Sequence, residues 1–293
     1  ELITAAVIKD LNRVHGFWHP WEPGPLGRIN SLLPTGGWFT LPPSTLPLFD
    51  GSYALSAQSH FLFNPAIGGL IRLWGFDDAI RPNQKPPPAE EIKALVKANP
   101  RLGDVEIKGL RMRSNNPAVL LDFGAFAKGL AVDLAIARLR ELGVQHALVN
   151  AGSDLRAIGR HGQRPWKIGI KHPRANGVLA FIETQADESI FTSGDYERYF
   201  MHNKIRYHHI IDPRNGYPAQ ESMSVTVVHA QASVADAAAT ALFIAGPSQW
   251  RSIAKNMGVT MVMLIGRDNK IYLSDALHKR ITFSANNPYE III

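Results

Sequence analysis

A short stretch, Leu121–Asp133 (LDFGAFAKGLAVD), constrains the fold of this chain most strongly. The apolar run Ala118–Leu121 predicts a strand, and the small residues after it predict a tight turn between Gly124 and Gly129. Apolar residues at helical spacing continue to Gly143, which favours an amphipathic helix that ends at a glycine. Such a turn can hold phosphate, because free N–H groups and the helix dipole point there. Turns of this kind also arise from packing needs alone, so this stretch leaves both interpretations open.

Composition narrows the classes of protein further. With 293 residues, 45% of them hydrophobic, the chain can bury a large core as one domain or two unequal lobes. The net charge is +6, but the excess is spread along the chain and no nucleic-acid motif accompanies it. We therefore expect no nucleic-acid partner. The absence of cysteine excludes disulfides, thiolate catalysis and cysteine metal sites. The longest uncharged run, Ile29–Phe49, is broken by prolines and cannot form a membrane-spanning helix.

Strand-like runs outnumber helical ones in the second half of the chain. We predict helices at Leu2–Val14, Ser52–Phe61, Glu90–Lys97, Ala235–Ala245 and Gln249–Asn256, a linker at Asp77–Pro88, and strands that include Val105–Met112, Ala118–Leu121, Arg206–Ile211 and Ser224–Ala230. This mixture predicts an α+β fold with largely antiparallel sheets and flanking helices. We assign residues 1–293 to one large domain. The chain opens on Glu1 within a helical pattern, so we expect a first strand and a leader to precede it.

One candidate metal site lies in the helical segment Ser233–Phe243. Asp236 and Thr240 are four residues apart, so their oxygens project from the same helical face. A carboxylate, a hydroxyl and a nearby carbonyl form a set of hard oxygen ligands suited to Mg²⁺. The alternative is structural: Ser233 and Asp236 fit a capping box, and Thr240 could bond back to its own helix.

Three further stretches combine polar side chains with turn residues. In His208–Gly216, His209 lies beside the turn that begins at Asp212, where a histidine can accept a proton or bind phosphate. Ser193 and Gly194 could offer hydroxyl and N–H groups to phosphate oxygens. Asp154 follows a strand in a turn that contains glycine. Each of these also fits an ordinary turn. Signatures of serine hydrolases, zinc proteases, P-loop proteins and Rossmann folds do not occur in the sequence.

Several motifs together resemble a known family. In chain order they are FNPAIGGLIRLWGF, LDFGAFAKGLAVD, LVNAGSDLRAIG, PWKIGIKHP, TSGDYERYF, HHIIDPRNGYPA and ADAAATALF. This order is similar to that of the ApbE-type FAD:protein FMN transferases and covers about Leu11 to Ala245. The loop LGRINSLLPTGGWF and the variant FNPAIG resemble the NosX-like branch.

The resemblance implies an enzyme that cleaves the FAD pyrophosphate, attaches FMN to a threonine or serine of a target protein and releases AMP. It implies that Mg²⁺ is held by the Ala127 carbonyl, Asp236 and Thr240. The cofactor contacts that we predict, with Lys128 included for its charge, are Phe63, Asn64, Lys128, Leu130, Ser193, Gly194 and Ile210. His209 matches the histidine of the H-x-x-D-P motif and is our preferred base, with Asp212 as the other candidate. The family also implies a periplasmic location and a target flavoprotein such as a membrane-bound respiratory subunit.

The sequence departs from the family pattern at two predicted flavin contacts. The usual F-D-P has Asn64 at its centre, and the usual G-G-I-A-K-G-Y ends at Leu130. The first change removes a carboxylate and the second an aromatic ring. Two alternatives therefore stay open: an FAD pyrophosphatase that releases FMN and AMP, and a non-catalytic flavin-binding or maturation protein.

Overall fold

The computed structural model describes residues 2–77, 80–285 and 287–293. The α-helices in this part of the chain are α1 (Leu2–Trp18), α2 (Pro25–Leu32), α3 (Leu46–Gln58), α4 (Gly68–Leu73), α5 (Ala89–Ala98), α6 (Ala127–Glu141), α7 (Ala232–Asn256) and α8 (Asp275–His278). The strands are β1 (Phe39–Thr40), β2 (Val105–Lys108), β3 (Arg111–Ser114), β4 (Ala147–Ala151), β5 (Asp154–Ile158), β6 (Lys167–Lys171), β7 (Val178–Glu183), β8 (Glu188–Gly194), β9 (Tyr199–His202), β10 (Ile205–His208), β11 (Ser222–His229), β12 (Met261–Gly266), β13 (Lys270–Leu273), β14 (Ile281–Phe283) and β15 (Glu290–Ile292).

The chain divides into two compact units. The first unit comprises the segment that ends at Asp10 together with Lys128–Gly194 and Gln220–Ile293. The second unit comprises Leu11–Ala127 and Asp195–Ala219. The assignment of residues 1–293 to one domain stays a prediction.

The first unit contains a seven-stranded sheet in the order β15-β13-β12-β11-β8-β5-β4 and a three-stranded sheet in the order β14-β7-β6. All ladders in these sheets are antiparallel except that between β13 and β15. Helix α7 packs on β11 and β8, and its buried face is rich in alanine. Small side chains allow the helix backbone to lie close to the sheet, which fixes the position of polar residues on α7.

The second unit is built from helices and two small sheets, β1-β3-β2 and β10-β9. One of its apolar clusters consists of Leu70, Trp74, Phe76, Ile92, Phe200 and Ile211. The indole N–H of Trp74 donates to the Gly216 carbonyl at 2.8 Å, so the turn after β10 is joined to this cluster. The prediction of an α+β fold with mainly antiparallel pairing is confirmed.

The predicted strand at Ala118–Leu121 is wrong. This segment makes only an isolated parallel bridge, between Leu120 and Ile67. Its backbone groups are satisfied in other ways: the Asn30 side chain accepts from the Leu121 N–H at 2.7 Å and donates to the Leu121 carbonyl at 2.9 Å. An apolar run can therefore lie buried and extended without joining a sheet, because a side-chain amide offers a donor and an acceptor together.

Other boundaries also differ from the prediction. The expected strand Val105–Met112 is the hairpin β2–β3, which turns at Gly109 with φ +60°. The expected helix Ser52–Phe61 begins earlier, because Pro47 in its first turn suits a helix start. The predicted break at Gly246-Pro247 is confirmed, since Gly246 has φ +67° within α7. Within the predicted linker Asp77–Pro88, residues 78 and 79 lie outside the described residues. No helix in the described part of the chain has both the length and the apolar character needed to cross a membrane.

Candidate active site

Helix α7 presents two of the predicted metal ligands in the first unit. The Asp236 carboxylate is 6% exposed, and its Oδ2 accepts the Gly129 N–H at 2.9 Å. One turn later, Thr240 Oγ1 lies 3.1 Å from Ser193 Oγ, on strand β8. A carboxylate and a hydroxyl thus follow one another along the helix, as their spacing predicted.

The alternative interpretation of Ser233 as part of a local capping box is wrong. The residue that caps α7 is Asp133, on helix α6. Its Oδ1 accepts the Ala232 N–H at 2.8 Å, and its Oδ2 accepts the N–H and the hydroxyl of Ser233 at 2.9 and 2.7 Å. Asp133 also forms an ion pair with Arg156 on β5. A carboxylate from another helix therefore caps α7, so Asp236 is not needed as a capping residue.

Gly129 allows α6 and the start of α7 to approach closely. A β-carbon at this position would lie 2.3 Å from the Ala232 carbonyl oxygen and 2.7 Å from Ser233 Cα. Only a residue without a side chain can place its N–H against Asp236 here. The structure thus supports the packing role that the sequence left open for Gly129.

Burial dominates the electrostatics of Asp236. Loss of contact with water raises the pKa of this carboxyl from 3.8 to about 7, and the negative charges of Asp154 and Asp133 act in the same direction. Lys128 and the hydrogen bond from Gly129 oppose the rise. A buried carboxylate with a raised pKa is in an environment that a bound cation would stabilise.

Lys128 connects the start of α6 to the sheet. Its ammonium forms an ion pair with the Asp154 carboxylate, which is almost completely buried. The second oxygen of Asp154 accepts the Thr192 N–H at 2.6 Å, immediately before Ser193. Asp154 is therefore more than a turn residue: it fixes the position of the lysine beside strand β8.

The donor set of the first unit fits Mg²⁺. Asp236 supplies an anionic oxygen, and Thr240 and Ser193 supply neutral hydroxyls, which are the oxygen types that Mg²⁺ prefers. The Ala127 carbonyl, the third predicted ligand, belongs to the last residue of the second unit before Lys128. Leu130 is half-buried on α6, and Gly194 is buried at the end of β8.

In the second unit, His209 follows strand β10. Its Nδ1 lies 3.2 Å from the Arg198 carbonyl oxygen. Because a carbonyl only accepts, this contact selects the tautomer with the proton on Nδ1 and the lone pair on Nε2. In this tautomer, Nε2 is the ring atom that could accept a proton from a substrate hydroxyl.

Asp212 makes a different set of contacts. Its carboxylate is 5% exposed and accepts from the Arg214 guanidinium through Nε at 2.9 Å and through a terminal nitrogen at 2.7 Å. Its Oδ1 also accepts the Arg214 backbone N–H at 2.9 Å. The Asp212 carboxylate is thus engaged in an ion pair and hydrogen bonds within its own turn. The turn residue Asp212 therefore serves to shape the loop after His209.

Three predicted flavin contacts in the second unit lie in its interior. Phe63 and Ile210 are buried, and the Phe63 ring packs 6.2 Å from that of Phe126. Asn64 donates to the Pro100 carbonyl at 2.9 Å and accepts the Ala66 N–H at 3.1 Å. The amide at position 64, where the family pattern has a carboxylate, is therefore explained by its donor bond to Pro100.

The predicted site residues divide between the two units. The first unit contains Lys128, Leu130, Ser193, Gly194, Asp236 and Thr240, and the second contains Phe63, Asn64, Ala127, His209, Ile210 and Asp212. Sequence reasoning did not assign a site role to Asp133, Asp154 or Arg156. The available signal was their position in two of the motifs: Asp133 ends LDFGAFAKGLAVD, and Asp154 and Arg156 lie in LVNAGSDLRAIG.

The fold and these side chains define an α+β protein with a buried carboxylate beside paired hydroxyls and a lysine. The model of the ApbE family matches residues 1–264, and the chain belongs to this family. The prediction of an ApbE-type protein is thereby confirmed, while the NosX-like branch stays a prediction.

Individual relatives agree with this assignment. The chain is 40% identical to the FAD:protein FMN transferase of Rhodobacter capsulatus over 94% of this chain and 53% of that protein. It is 30% identical to the FAD:protein FMN transferase of Haemophilus influenzae over 94% of this chain and 82% of that protein. The crystal structure of the ApbE protein from Thermotoga maritima matches with a TM-score of 0.87 at 31% identity, over 95% of this chain and 91% of that one. The chain spans about half the length of the Rhodobacter capsulatus relative.

Proposed function

We propose that this protein is a Mg²⁺-dependent FAD:protein FMN transferase. The observation that carries the proposal is the cluster of buried Asp236, the Thr240–Ser193 hydroxyl pair and Lys128 in a member of the ApbE family. In the reaction, a hydroxyl oxygen of the target protein attacks the phosphorus of the FMN half. The pyrophosphate P–O bond breaks, FMN becomes a phosphoester of the target, and AMP leaves.

Asp236 and Thr240, with the Ala127 carbonyl, would hold the metal ion. A bound Mg²⁺ would neutralise charge that develops on the phosphate oxygens. Ser193, which bonds to Thr240, orients that hydroxyl. Lys128 contributes a fixed positive charge on the same unit, held by its ion pair with Asp154.

His209 is the proposed proton acceptor for the target hydroxyl. With the Nδ1 proton donated to the Arg198 carbonyl, Nε2 would be the atom that receives the hydroxyl proton. Asp212, the other candidate, is engaged by Arg214 through its backbone N–H and its guanidinium. This contrast favours His209 as base.

The location and the partner are proposed from the family resemblance. We place the protein in the periplasm, where it would act on a flavoprotein target such as a membrane-bound respiratory subunit. The support is the sequence similarity to the NosX-like branch.

The test is mass spectrometry of a target peptide with a Ser/Thr-rich acceptor, incubated with the protein, FAD and Mg²⁺. A covalent gain of the FMN mass that disappears with EDTA is expected. Free FMN and AMP without labelled peptide would replace the proposal with the pyrophosphatase alternative, and intact FAD would favour the flavin-binding alternative.

A variant pair tests the metal ligands. Asp236→Ala should abolish metal-dependent turnover, whereas Asp275→Ala, which removes an exposed carboxylate at the start of α8, should leave it unchanged. Unchanged turnover in Asp236→Ala would contradict the metal assignment.

A further inference from the structure

A charged face of the small sheet β1-β3-β2 has no role in the proposed reaction. Strand register places Arg111 opposite Lys108 and opposite Thr40, and places Arg113 opposite Glu106. Since side chains alternate along a strand, these residues share one face, and buried Met112 lies on the other. The face therefore presents three cations and one carboxylate.

The three cations surround one indole. Lys108 Nζ lies 5.4 Å from the centroid of the Trp38 ring, Arg111 Cζ lies 5.5 Å from it and Arg113 Cζ lies 4.9 Å from it. Arg113 is also paired with Glu106 at 2.9 Å. Lys108 and Arg111 are direct cross-strand neighbours of like charge, an arrangement that costs stability in isolation. Such a pair favours the arrival of an anion.

The turn between these two cations exposes an apolar side chain. Gly109 takes φ +60° and Leu110, the next residue, is 48% exposed. The Leu110 carbonyl accepts the Leu41 N–H at 2.8 Å, which fixes the turn backbone. A leucine at the end of a fixed turn, flanked by Lys108 and Arg111, combines an apolar group with positive charge.

We propose that Trp38 and the Lys108–Arg111 turn form a docking surface for an anionic phospholipid membrane. The cations would meet lipid phosphates, Leu110 would enter the boundary of the acyl region, and the indole would lie at headgroup level. An acidic peptide would satisfy the cations but would leave exposed Leu110 without a favourable environment, so the membrane is the better fit.

Vesicle binding tests the charged part of this surface. Wild-type protein should bind vesicles made of equal parts phosphatidylcholine and phosphatidylglycerol, more weakly at high salt, and should not bind pure phosphatidylcholine. The double variant Lys108→Gln with Arg111→Gln should bind at least about tenfold more weakly, since each cation near the surface contributes about fivefold. The matched control, Lys85→Gln with Lys97→Gln, removes the same charge from exposed positions and should bind like wild type.

A fluorescent probe tests the apolar part of the docking surface, which is Leu110. The chain contains no cysteine, so Leu110→Cys provides a single site for an environment-sensitive dye, with Lys97→Cys as control. We expect a blue shift on vesicle binding at position 110 and none at position 97. The proposal would be overturned if wild-type protein did not bind vesicles. It would also be overturned if the control variant at Lys85 and Lys97 lost as much vesicle affinity as the variant at Lys108 and Arg111. Binding that needs Lys108 and Arg111 while the dye at position 110 stays in water would also overturn it, because the protein would then adsorb by charge alone without inserting Leu110.

Discussion

The backbone N–H of Gly129 bonds to the Asp236 carboxylate across two helices that are far apart in sequence. This 2.9 Å contact joins the first turn of α6 to the second turn of α7. It exists because glycine leaves room for the Ala232 carbonyl. The position of the predicted metal ligand therefore depends on a residue that itself has no side chain.

Gly129→Ala should destabilise the protein strongly. The added methyl group would meet the Ala232 carbonyl oxygen at 2.3 Å, and neither can move away easily because both residues belong to helices. We expect the free energy of unfolding to fall by about 3 kcal/mol, at the upper end of overpacking effects. Urea unfolding measures the change. Gly16→Ala is the matched control, because this helical glycine has open space around it and alanine favours a helix by about 1 kcal/mol. A control variant less stable than wild type would show that the comparison is unsound.

Asp133→Ala should lower the stability by about 3 kcal/mol, because it removes the α7 cap and leaves the Arg156 charge nearly buried without its carboxylate. Thermal unfolding provides the measurement. Asp133→Asn keeps an acceptor oxygen for the cap but not the charge, so its melting temperature should lie between those of wild type and Asp133→Ala. If Asp133→Asn and Asp133→Ala have the same melting temperature, the ion pair contributes more to stability than the cap does.

Stability should depend on pH through Asp236. Its pKa is about 7 in the folded protein and near 3.8 when unfolded, so the folded state binds the proton more tightly between these values. Without metal, the free energy of unfolding should therefore fall as pH rises from about 4 to about 7, by up to about 1.4 kcal/mol per pH unit. Asp236→Asn should remove this slope and be more stable than wild type at about pH 8.

Mg²⁺ should stabilise the protein more as pH rises, because it binds the ionised Asp236 carboxylate. Urea unfolding in EDTA and in Mg²⁺, at about pH 5 and about pH 8, should show a larger stabilisation by metal at the higher pH. Equal stabilisation of wild type and Asp236→Asn by Mg²⁺ would rule out Asp236 as ligand.

Asn64→Asp, which restores the usual family residue, should destabilise this protein. The introduced carboxylate would face the Pro100 carbonyl, where the Asn64 amide now donates at 2.9 Å. We expect a loss of about 2 kcal/mol, which diminishes at low pH when the carboxyl can donate again. Asn269→Asp at an exposed turn is the control and should be nearly neutral. A stable Asn64→Asp variant would mean that Pro100 does not select the amide.

His209→Ala should slow FMN transfer by about a hundredfold or more while FAD binding is retained, because only proton transfer is lost. Single-turnover kinetics and FAD titration separate the two effects. His202→Ala, on strand β9 of the same unit, is the matched control and should transfer normally. Loss of FAD binding in His209→Ala would identify this histidine as a ligand contact and would contradict its role as base.

The sequence predicts local relationships in this protein well. The four-residue spacing of Asp236 and Thr240 correctly places both on one helix, and Gly246-Pro247 correctly marks the break in α7. The order of the motifs also indicates the family correctly. In each case the information lies in a few consecutive residues, where periodicity and turn chemistry act directly.

Long-range partners account for two of the wrong predictions. Ser233 suggested a capping box within its own helix, but its hydroxyl bonds to Asp133, one hundred residues earlier. The apolar run at Ala118–Leu121 suggested a strand, but Asn30, ninety-one residues away from Leu121, satisfies that residue's backbone. A local pattern shows that a donor or acceptor must be satisfied, and it does not show which distant residue will do so.

The Asp133 carboxylate also determines how the first unit can assemble. It contacts α7 through Ala232 and Ser233, and it contacts strand β5 through Arg156. One side chain of α6 therefore links three elements. A fragment that lacks α6 would contain α7 with an uncapped end and a nearly buried, uncompensated arginine. We therefore expect the orientation of the Asp236–Thr240 face to depend on the presence of α6.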